Sequence, residues 1–103
     1  MSETFAEKVL ATLRKNGSDL TKPHRLDFYV YVPKQTYATK AATKIRECGF
    51  DTDLSRSGKR WLIVASKTMV PARADLADQG RFFEEVAQAV GGDFDGWESK
   101  VME

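Results

Sequence analysis

The spacing of apolar residues alternates between helical and extended periods along the chain, and it predicts seven elements. Residues 3–15 carry apolar side chains that recur four apart from Phe5 onward, the spacing of an amphipathic helix. Residues 35–48 have the same period with a narrow stripe of small side chains. Residues 72–89 form a third helical segment that opens after Pro71. Glycine follows each segment within two residues, as is common at helix ends.

Four further segments have the alternating pattern or composition of strands. Residues 25–33 alternate cleanly, which predicts a strand with one face on a core. Residues 50–56 and 60–67 flank the turn Ser57-Gly58-Lys59 and predict a hairpin, whose second strand has a continuous apolar centre typical of a strand covered on both faces. Residues 93–102 are predicted to form the last strand. In segment 25–33 the apolar positions are Leu26, Phe28, Val30 and Val32, and the other side carries Asp27, Tyr29 and Tyr31.

The order of these elements is a helix followed by β-α-β-β-α-β, and it predicts an α+β, ferredoxin-like sandwich with an additional N-terminal helix and an antiparallel four-stranded sheet. Residues 1–103 are expected to form one domain, with the βαββαβ core over residues 25–102. The first helix needs an apolar surface to bury its stripe. The open sheet face is the favoured site, and Tyr29 and Tyr31 would then be core residues.

Composition limits the classes of function. The chain has 103 residues, enough for one domain, and one cysteine, so an internal disulfide is excluded. No apolar run reaches the roughly 18 residues of a membrane span, and the first residues are charged, so we expect a cytoplasmic protein without a membrane partner. The net charge is +1. Residues 1–60 carry 12 basic and 7 acidic side chains, whereas residues 61–103 carry 4 and 8, an asymmetry that marks an interaction surface unless both halves mix in the fold.

Catalytic chemistry is not apparent. His24 is the only histidine, which leaves little support for a metal site or a catalytic triad. Cys48 is predicted to lie on the buried stripe of a helix as a small core residue rather than a nucleophile. Asp93 and Asp95 would share one face of a strand, and with Glu98 they are interpreted as a solvated edge rather than paired catalytic carboxylates. We therefore expect no cofactor and no enzyme.

Direct RNA binding is an alternative because ferredoxin-like sheets can present aromatic side chains to bases. Tyr29 and Tyr31 would lie on such a face. The strand over residues 60–67 lacks the glycine and aromatic pattern of RNA-recognition motifs, which favours a structural role for the tyrosines. The candidate basic residues are Lys40, Lys44, Arg56, Lys59 and Arg60.

The C-terminal segment resembles the signature of a bacterial family. The helix over residues 72–89 is followed by a run of glycines, acids and aromatics, Gly91-Gly92-Asp93-Phe94-Asp95-Gly96-Trp97-Glu98. This run is similar to that of the regulator of ribonuclease E activity, B type (RraB). Residues 16–19, 23–31 and 48–50 fit the same family in the same order, so the resemblance spans residues 3–101.

The resemblance implies a ferredoxin-like domain that binds an endoribonuclease, lowers its activity and remodels RNA turnover, without a cofactor. The best-known members carry a strongly acidic C-terminal extension that this sequence does not show, so the partner is either ribonuclease E or another RNA-decay protein. No binding motif transfers from the family residue by residue. The candidate partner-binding residues are therefore read from this sequence, and they are Asp93, Asp95, Trp97, Glu98, Tyr29 and Tyr31.

For Trp97 two interpretations stand side by side. An acid-flanked tryptophan suits docking on a basic protein segment, and an anchor that holds the last strand to the core is equally consistent. Gly96 would allow a bulge or make room for the ring. A small-molecule-sensing module remains a further alternative, because ferredoxin-like domains often pair and hold ligands between them. Both a monomer and a homodimer are consistent with the sequence.

Overall fold

The computed structural model of the chain describes residues 2–99, with side chains from residue 5 onward. The order and type of all seven elements agree with the prediction, and the bounds differ by one or two residues. Residues 100–102, predicted to continue the last strand, lie outside the described residues. The helices are α1 (Ser2–Lys15), α2 (Gln35–Glu47) and α3 (Arg73–Ala89), and the strands are β1 (His24–Val32), β2 (Asp51–Ser57), β3 (Arg60–Met69) and β4 (Asp93–Ser99).

The four strands form one antiparallel sheet in the order β2-β3-β1-β4. Because β1 and β2 both pair antiparallel with β3, they run parallel to each other, and α2 connects them. The strands β3 and β4 both pair antiparallel with β1, so they also run parallel to each other, and α3 connects them. The architecture is thus α+β, with a four-stranded antiparallel sheet whose central strands are β3 and β1.

Within the described residues, the three helices pack on one side of this sheet, and that side holds the core. Phe28 of β1 stacks on Phe83 of α3, with ring centroids 4.7 Å apart. Small side chains let α2 approach β2 and β3 closely, as the narrow stripe in the sequence predicted. The buried residues of β1 are Leu26, Phe28, Val30 and Val32, and those of α2 are Ala38, Ala41, Ala42 and Ile45.

The position of α1 corrects the favoured prediction. The helix packs against α3 on the core side, with the ring of Phe5 5.5 Å from Phe94 and 6.3 Å from Phe28 between centroids. Gly80 makes this possible, because a Cβ there would lie 2.9 Å from a ring carbon of Phe5. Gly80 is therefore the contact site of α3 with α1, and α3 continues through it.

A second correction follows for the sheet. Tyr29 and Tyr31 are not core residues, since they lie half-buried on the side opposite the helices. The apolar run of β3 is likewise covered on only one face by the described part of the chain. Ile63 and Ala65 are fully buried, whereas Leu62 and Val64 are half-buried beside the two tyrosines.

The two glycines before β4 have different roles. Gly91 adopts a positive φ of 67° and ends α3, and the backbone N–H of Gly92 donates to the carbonyl of Ala87 at 2.8 Å, as in a Schellman motif. Gly92 also passes so close to β1 that a Cβ would lie 2.1 Å from the carbonyl oxygen of Tyr31. The turn from α3 into β4 therefore requires a residue without a side chain.

We predict that Gly92→Ala destabilises the fold by about 3 kcal/mol, because the new methyl group would force β4 away from β1. Gly91→Ala is the matched control. Its Cβ would meet nothing within 4 Å, so only the left-handed backbone strain of about 1 kcal/mol is expected. Urea unfolding followed by circular dichroism compares the two variants, and equal losses of stability would contradict the close approach at Gly92.

The contact between Gly80 and Phe5 predicts a coupled pair. Gly80→Leu should lower the free energy of unfolding by displacing the Phe5 ring, and adding Phe5→Ala should recover about 1 kcal/mol relative to the sum of the single effects. Phe82→Ala is the control partner, since the Phe82 ring packs on Phe50 instead. Additive losses in the Gly80→Leu and Phe5→Ala pair would mean that α1 does not seat on α3 through this contact.

Candidate functional site

The side of the sheet opposite the helices is open within residues 2–99, and we call it the open face. Its centre is formed by alternate residues of the two central strands. Tyr29 lies opposite Val64 and Tyr31 opposite Leu62, and all four side chains are half-buried. The centre of the open face is therefore apolar and partly aromatic, and it is accessible to another molecule.

Carboxylates surround this centre. The register places Glu98 of β4 opposite Asp27 of β1, and Asp93 opposite Tyr31. On the other side, Asp53 of β2 lies opposite Val64, and Asp51 lies two residues before it. In the four strands as the structure describes them, the positions on this face carry five acidic side chains and two basic ones, Arg25 and Arg60.

One arginine already binds to the open face. The guanidinium carbon of Arg60 lies 4.5 Å from the centroid of the Tyr31 ring, and Nη1 donates to Oδ2 of Asp93 at 3.0 Å. Arg60 stands at the start of β3, where the hairpin brings it beside β1, and β1 in turn pairs with β4. The aromatic face and the carboxylate thus hold the guanidinium from two directions.

The other end of the face also has a tyrosine beside a carboxylate, and a cavity lies next to them. Tyr29 donates its hydroxyl hydrogen bond to Oε2 of Glu98 at 2.5 Å, and Ser66 donates to Oδ1 of Asp27 at 2.6 Å. Nε of Arg25 lies 3.5 Å from Oδ1 of Asp27. The cavity has a volume of about 270 Å³, and its lining residues are Arg25, Asp27, Glu98 and Ser99. It is large enough to admit one side chain of a partner.

A bulge in β4 changes which of its side chains lie on each side of the sheet. Gly96, with a φ of 112°, lies opposite Tyr29, and Phe94 lies opposite Val30, so Asp95 is an extra residue without an opposite on β1. Of the two roles considered for Gly96, the bulge is present. The register does not pair Asp95 with any residue of β1, so the statement that Asp93 and Asp95 share a face stays a prediction.

Trp97 lies on the helix side, opposite Phe28, and is thus separated from the tyrosines. It is half-buried and packs on the core, the placement expected of an anchor for β4. It also lines a groove of about 350 Å³ between β4 and the end of α1, together with Leu13 and Asn16. The open face therefore brings together four of the six candidate partner-binding residues, Tyr29, Tyr31, Asp93 and Glu98.

The five candidate RNA-binding residues do not form one surface. Lys40 and Lys44 are exposed on α2, on the helix side. Arg56 lies on the same side as Trp61, with its guanidinium 5.9 Å from that ring, whereas Arg60 is held on the open face. Lys59 lies in the hairpin turn between them.

His24 and Cys48 lie in different surroundings, and neither belongs to a group of metal-ligating side chains within residues 2–99. His24 is fully buried at the start of β1, and its Nδ1 donates to the carbonyl of Lys22 at 2.8 Å. Cys48 is exposed, which corrects its predicted place on the buried stripe. The helix α2 ends at Glu47, and Cys48 adopts a non-helical conformation that takes its side chain out of the helical period. Within residues 2–99 there is no group of three or more metal-ligating side chains.

Asp51 and Asp53 were not predicted as members of this face, nor Leu62 and Val64 as its centre. Asp27 was predicted on the same side of its strand as the tyrosines, but not as a candidate site residue. A signal was present for the two acids of β2. They alternate with Thr52 and Leu54, and the hairpin turn fixes which side of β3 they accompany. The sequence did not indicate that no helix of the described chain covers this side of β3.

Three helices on one side of a four-stranded antiparallel sheet, with the other side open, define a two-layer α+β domain. The chain matches the protein-family model Regulator of ribonuclease activity B (RraB) over residues 3–99, so it belongs to the RraB family. This match confirms the resemblance seen in the sequence. RraB is a regulatory family rather than an enzyme family. A search of curated proteins found no match. None of the helices in the described part of the chain is both long and apolar enough to cross a membrane.

The hydrogen bond to Glu98, followed by burial, raises the pKa of Tyr29 from its ordinary value of 10.0 to about 12. We predict that Glu98→Gln brings this pKa back toward the ordinary value, measured as tyrosinate absorbance and assigned by comparison with Tyr29→Phe. Because the pKa is higher in the folded than in the unfolded protein, the stabilisation is complete below pH 10 and disappears as the pH rises to about 12.

Wild-type protein should therefore lose more stability between pH 10 and 12 than Tyr29→Phe does. Tyr37→Phe, which removes an exposed tyrosine of α2, is the control substitution. A Tyr29 titration unchanged by Glu98→Gln would show that the hydrogen bond does not set the pKa.

Proposed function

We propose that this protein is a non-enzymatic regulator that binds an endoribonuclease of the ribonuclease E type in the bacterial cytoplasm. Binding inhibits or modulates the nuclease and so affects RNA turnover. The observation that carries the proposal is the family match, which extends over residues 3–99 and thus over nearly all of the described chain. An α+β domain with an accessible apolar sheet face is consistent with action through a protein contact.

We further propose that the fold is of the ferredoxin-like type, extended by α1. Two features support this assignment. The helices α2 and α3 each connect two parallel strands that are separated by one antiparallel strand, and the strand order is β2-β3-β1-β4. The helix α1 adds a third helix to the same layer without changing the order of the strands.

Direct RNA binding is less well supported. Arginine and lysine side chains that neutralise phosphates account for much of the affinity for nucleic acids. The five candidate basic residues are dispersed over α2, the hairpin and both sides of the sheet. The open face, where Tyr29 and Tyr31 could stack on bases, has more acidic than basic side chains, so it would repel a phosphate backbone.

A sensing module formed by two sheets packed face to face is also disfavoured. In such a pair, the acidic border of one open face would meet the acidic border of the other. Like charges placed opposite each other are destabilising. Among the described residues, Asp51 and Asp53 of β2 have no ion-pair partner that would compensate for this repulsion.

A cleavage assay tests the proposed function. Purified endoribonuclease of the ribonuclease E type should cleave a single-stranded RNA more slowly as this protein is added, and the two proteins should elute together after nuclease treatment. An unrelated ribonuclease acting on the same RNA is the control. It should be unaffected, because the regulator binds the enzyme rather than its substrate.

Equal protection from both ribonucleases would instead indicate that the protein sequesters RNA. No effect on either enzyme, together with separate elution, would exclude the ribonuclease E type as the partner.

A further inference from the structure

We infer that the open face is a docking surface for an extended, arginine-rich segment of a protein partner. The inference rests on the proposed function only for the identity of that partner, which would be the regulated ribonuclease. The chemistry of the segment follows from the charges, the aromatic rings and the dimensions of the face.

Charge complementarity defines the sign of the occupant. The face carries Asp27, Asp51, Asp53, Asp93 and Glu98 against Arg25 and Arg60. The two arginines pair with Asp27 and Asp93, which leaves three carboxylates without an ion pair among the described residues. A cationic segment would complete these pairs, and complementary charge also accelerates association.

The aromatic centre favours arginine over lysine. A guanidinium is planar, stacks on aromatic rings and can form two parallel hydrogen bonds with a carboxylate, whereas an ammonium group is a point charge without this planar fork. The face already holds one guanidinium beside an aromatic ring, because Arg60 lies 4.5 Å from the centroid of Tyr31 and donates one hydrogen bond to Asp93. At the other end, Tyr29 lies beside Glu98, which lines the cavity together with Asp27. A partner arginine in the cavity would repeat the arrangement at Arg60.

The dimensions of the face suit an extended segment. The strand β1 has nine residues, and at about 3.3 Å per residue and about 4.8 Å between strands the face measures about 30 by 15–20 Å. An extended segment of nine residues is about 30 Å long, so one such segment spans the face along its strands. A segment with alternating arginines matches it in length.

Binding of a fluorescein-labelled peptide of eight arginines, followed by anisotropy, tests the inference. We expect wild-type protein to bind this peptide at least about fivefold more tightly than eight lysines, and to show no binding of eight glutamates or of an oligouridine. Asp27→Asn with Glu98→Gln should weaken arginine binding about tenfold. The control pair Glu84→Gln with Glu85→Gln removes the same charge from the exposed surface of α3 and should change binding less than twofold.

Substitutions at Tyr29 separate stacking from charge. Tyr29→Phe keeps the ring and should keep the preference for arginine over lysine, whereas Tyr29→Leu should lose it. Circular dichroism and the unfolding midpoint establish that each variant is folded. If a variant is unfolded, the binding site of the arginine peptide is instead mapped on wild-type protein by amide chemical-shift changes. These changes should fall on Tyr29, Tyr31, Leu62 and Val64.

Each remaining outcome has one meaning. Equal weakening by both charge-removing pairs, shift changes confined to the helices, or stronger binding of the oligouridine would overturn the inference. Normal capture of the ribonuclease by Asp27→Asn with Glu98→Gln would also overturn it and leave the proposed function intact. Arginine binding at the open face without any effect on ribonuclease activity would support the docking surface and contradict the proposed function.

Discussion

The structure depends on the packing of aromatic rings around Phe28. This ring stacks on Phe83 and lies within 6.3 Å of Phe5, Phe50 and Phe94 between centroids. The cluster therefore joins α1, α3, β1 and β4 with the segment that precedes β2. These rings and the small residues of α2 form the core on one side of the sheet, and no helix of the described chain covers the other side. The accessibility of Tyr29 and Tyr31 follows from this one-sided core.

The bulge at Gly96 links the core to the candidate site. Without the extra residue, Phe94 and Trp97 would point to opposite sides of the sheet, since they are three positions apart. With it, both aromatic side chains face the core, and Asp93 and Glu98 both accompany the tyrosines on the open face. One glycine with a positive φ thus fixes the hydrophobic attachment of β4 and the position of two carboxylates together.

Much of the fold could be predicted from periodicity, because an element that buries one face must repeat at 3.6 or 2 residues. The side on which α1 packs could not be predicted in this way. The apolar side of β1 was already expected to face the core, so the tyrosine side was the surface left for α1. Gly80 was the informative residue, and its significance depends on a neighbour 75 positions away in the chain. Cys48 was misplaced because the helical period was extended one residue past the end of α2.

The candidate site was predictable in part. The acids and tyrosines were identified from composition, but their grouping depends on strand register and on which sheet face stays open, both of which are properties of the tertiary structure. Trp97 was grouped with them because it is adjacent in sequence, and the bulge and the pleat separate it from them in space. The resemblance to the family was more informative about function than any single residue, and the match over residues 3–99 agrees with it.

The central position of β1 has a consequence for synthesis on the ribosome. One of its two neighbours, β4, is among the last parts of the described chain to be made, and the partners Tyr29 and Glu98 are separated by 69 positions. Until β4 emerges, one edge of β1 stays unpaired, and the site of Phe94 beside Phe5 and Phe83 is empty. Such non-local pairing slows folding and exposes a strand edge. The nascent domain therefore passes through a period in which its core is open along one side, and it closes only when the bulged strand arrives.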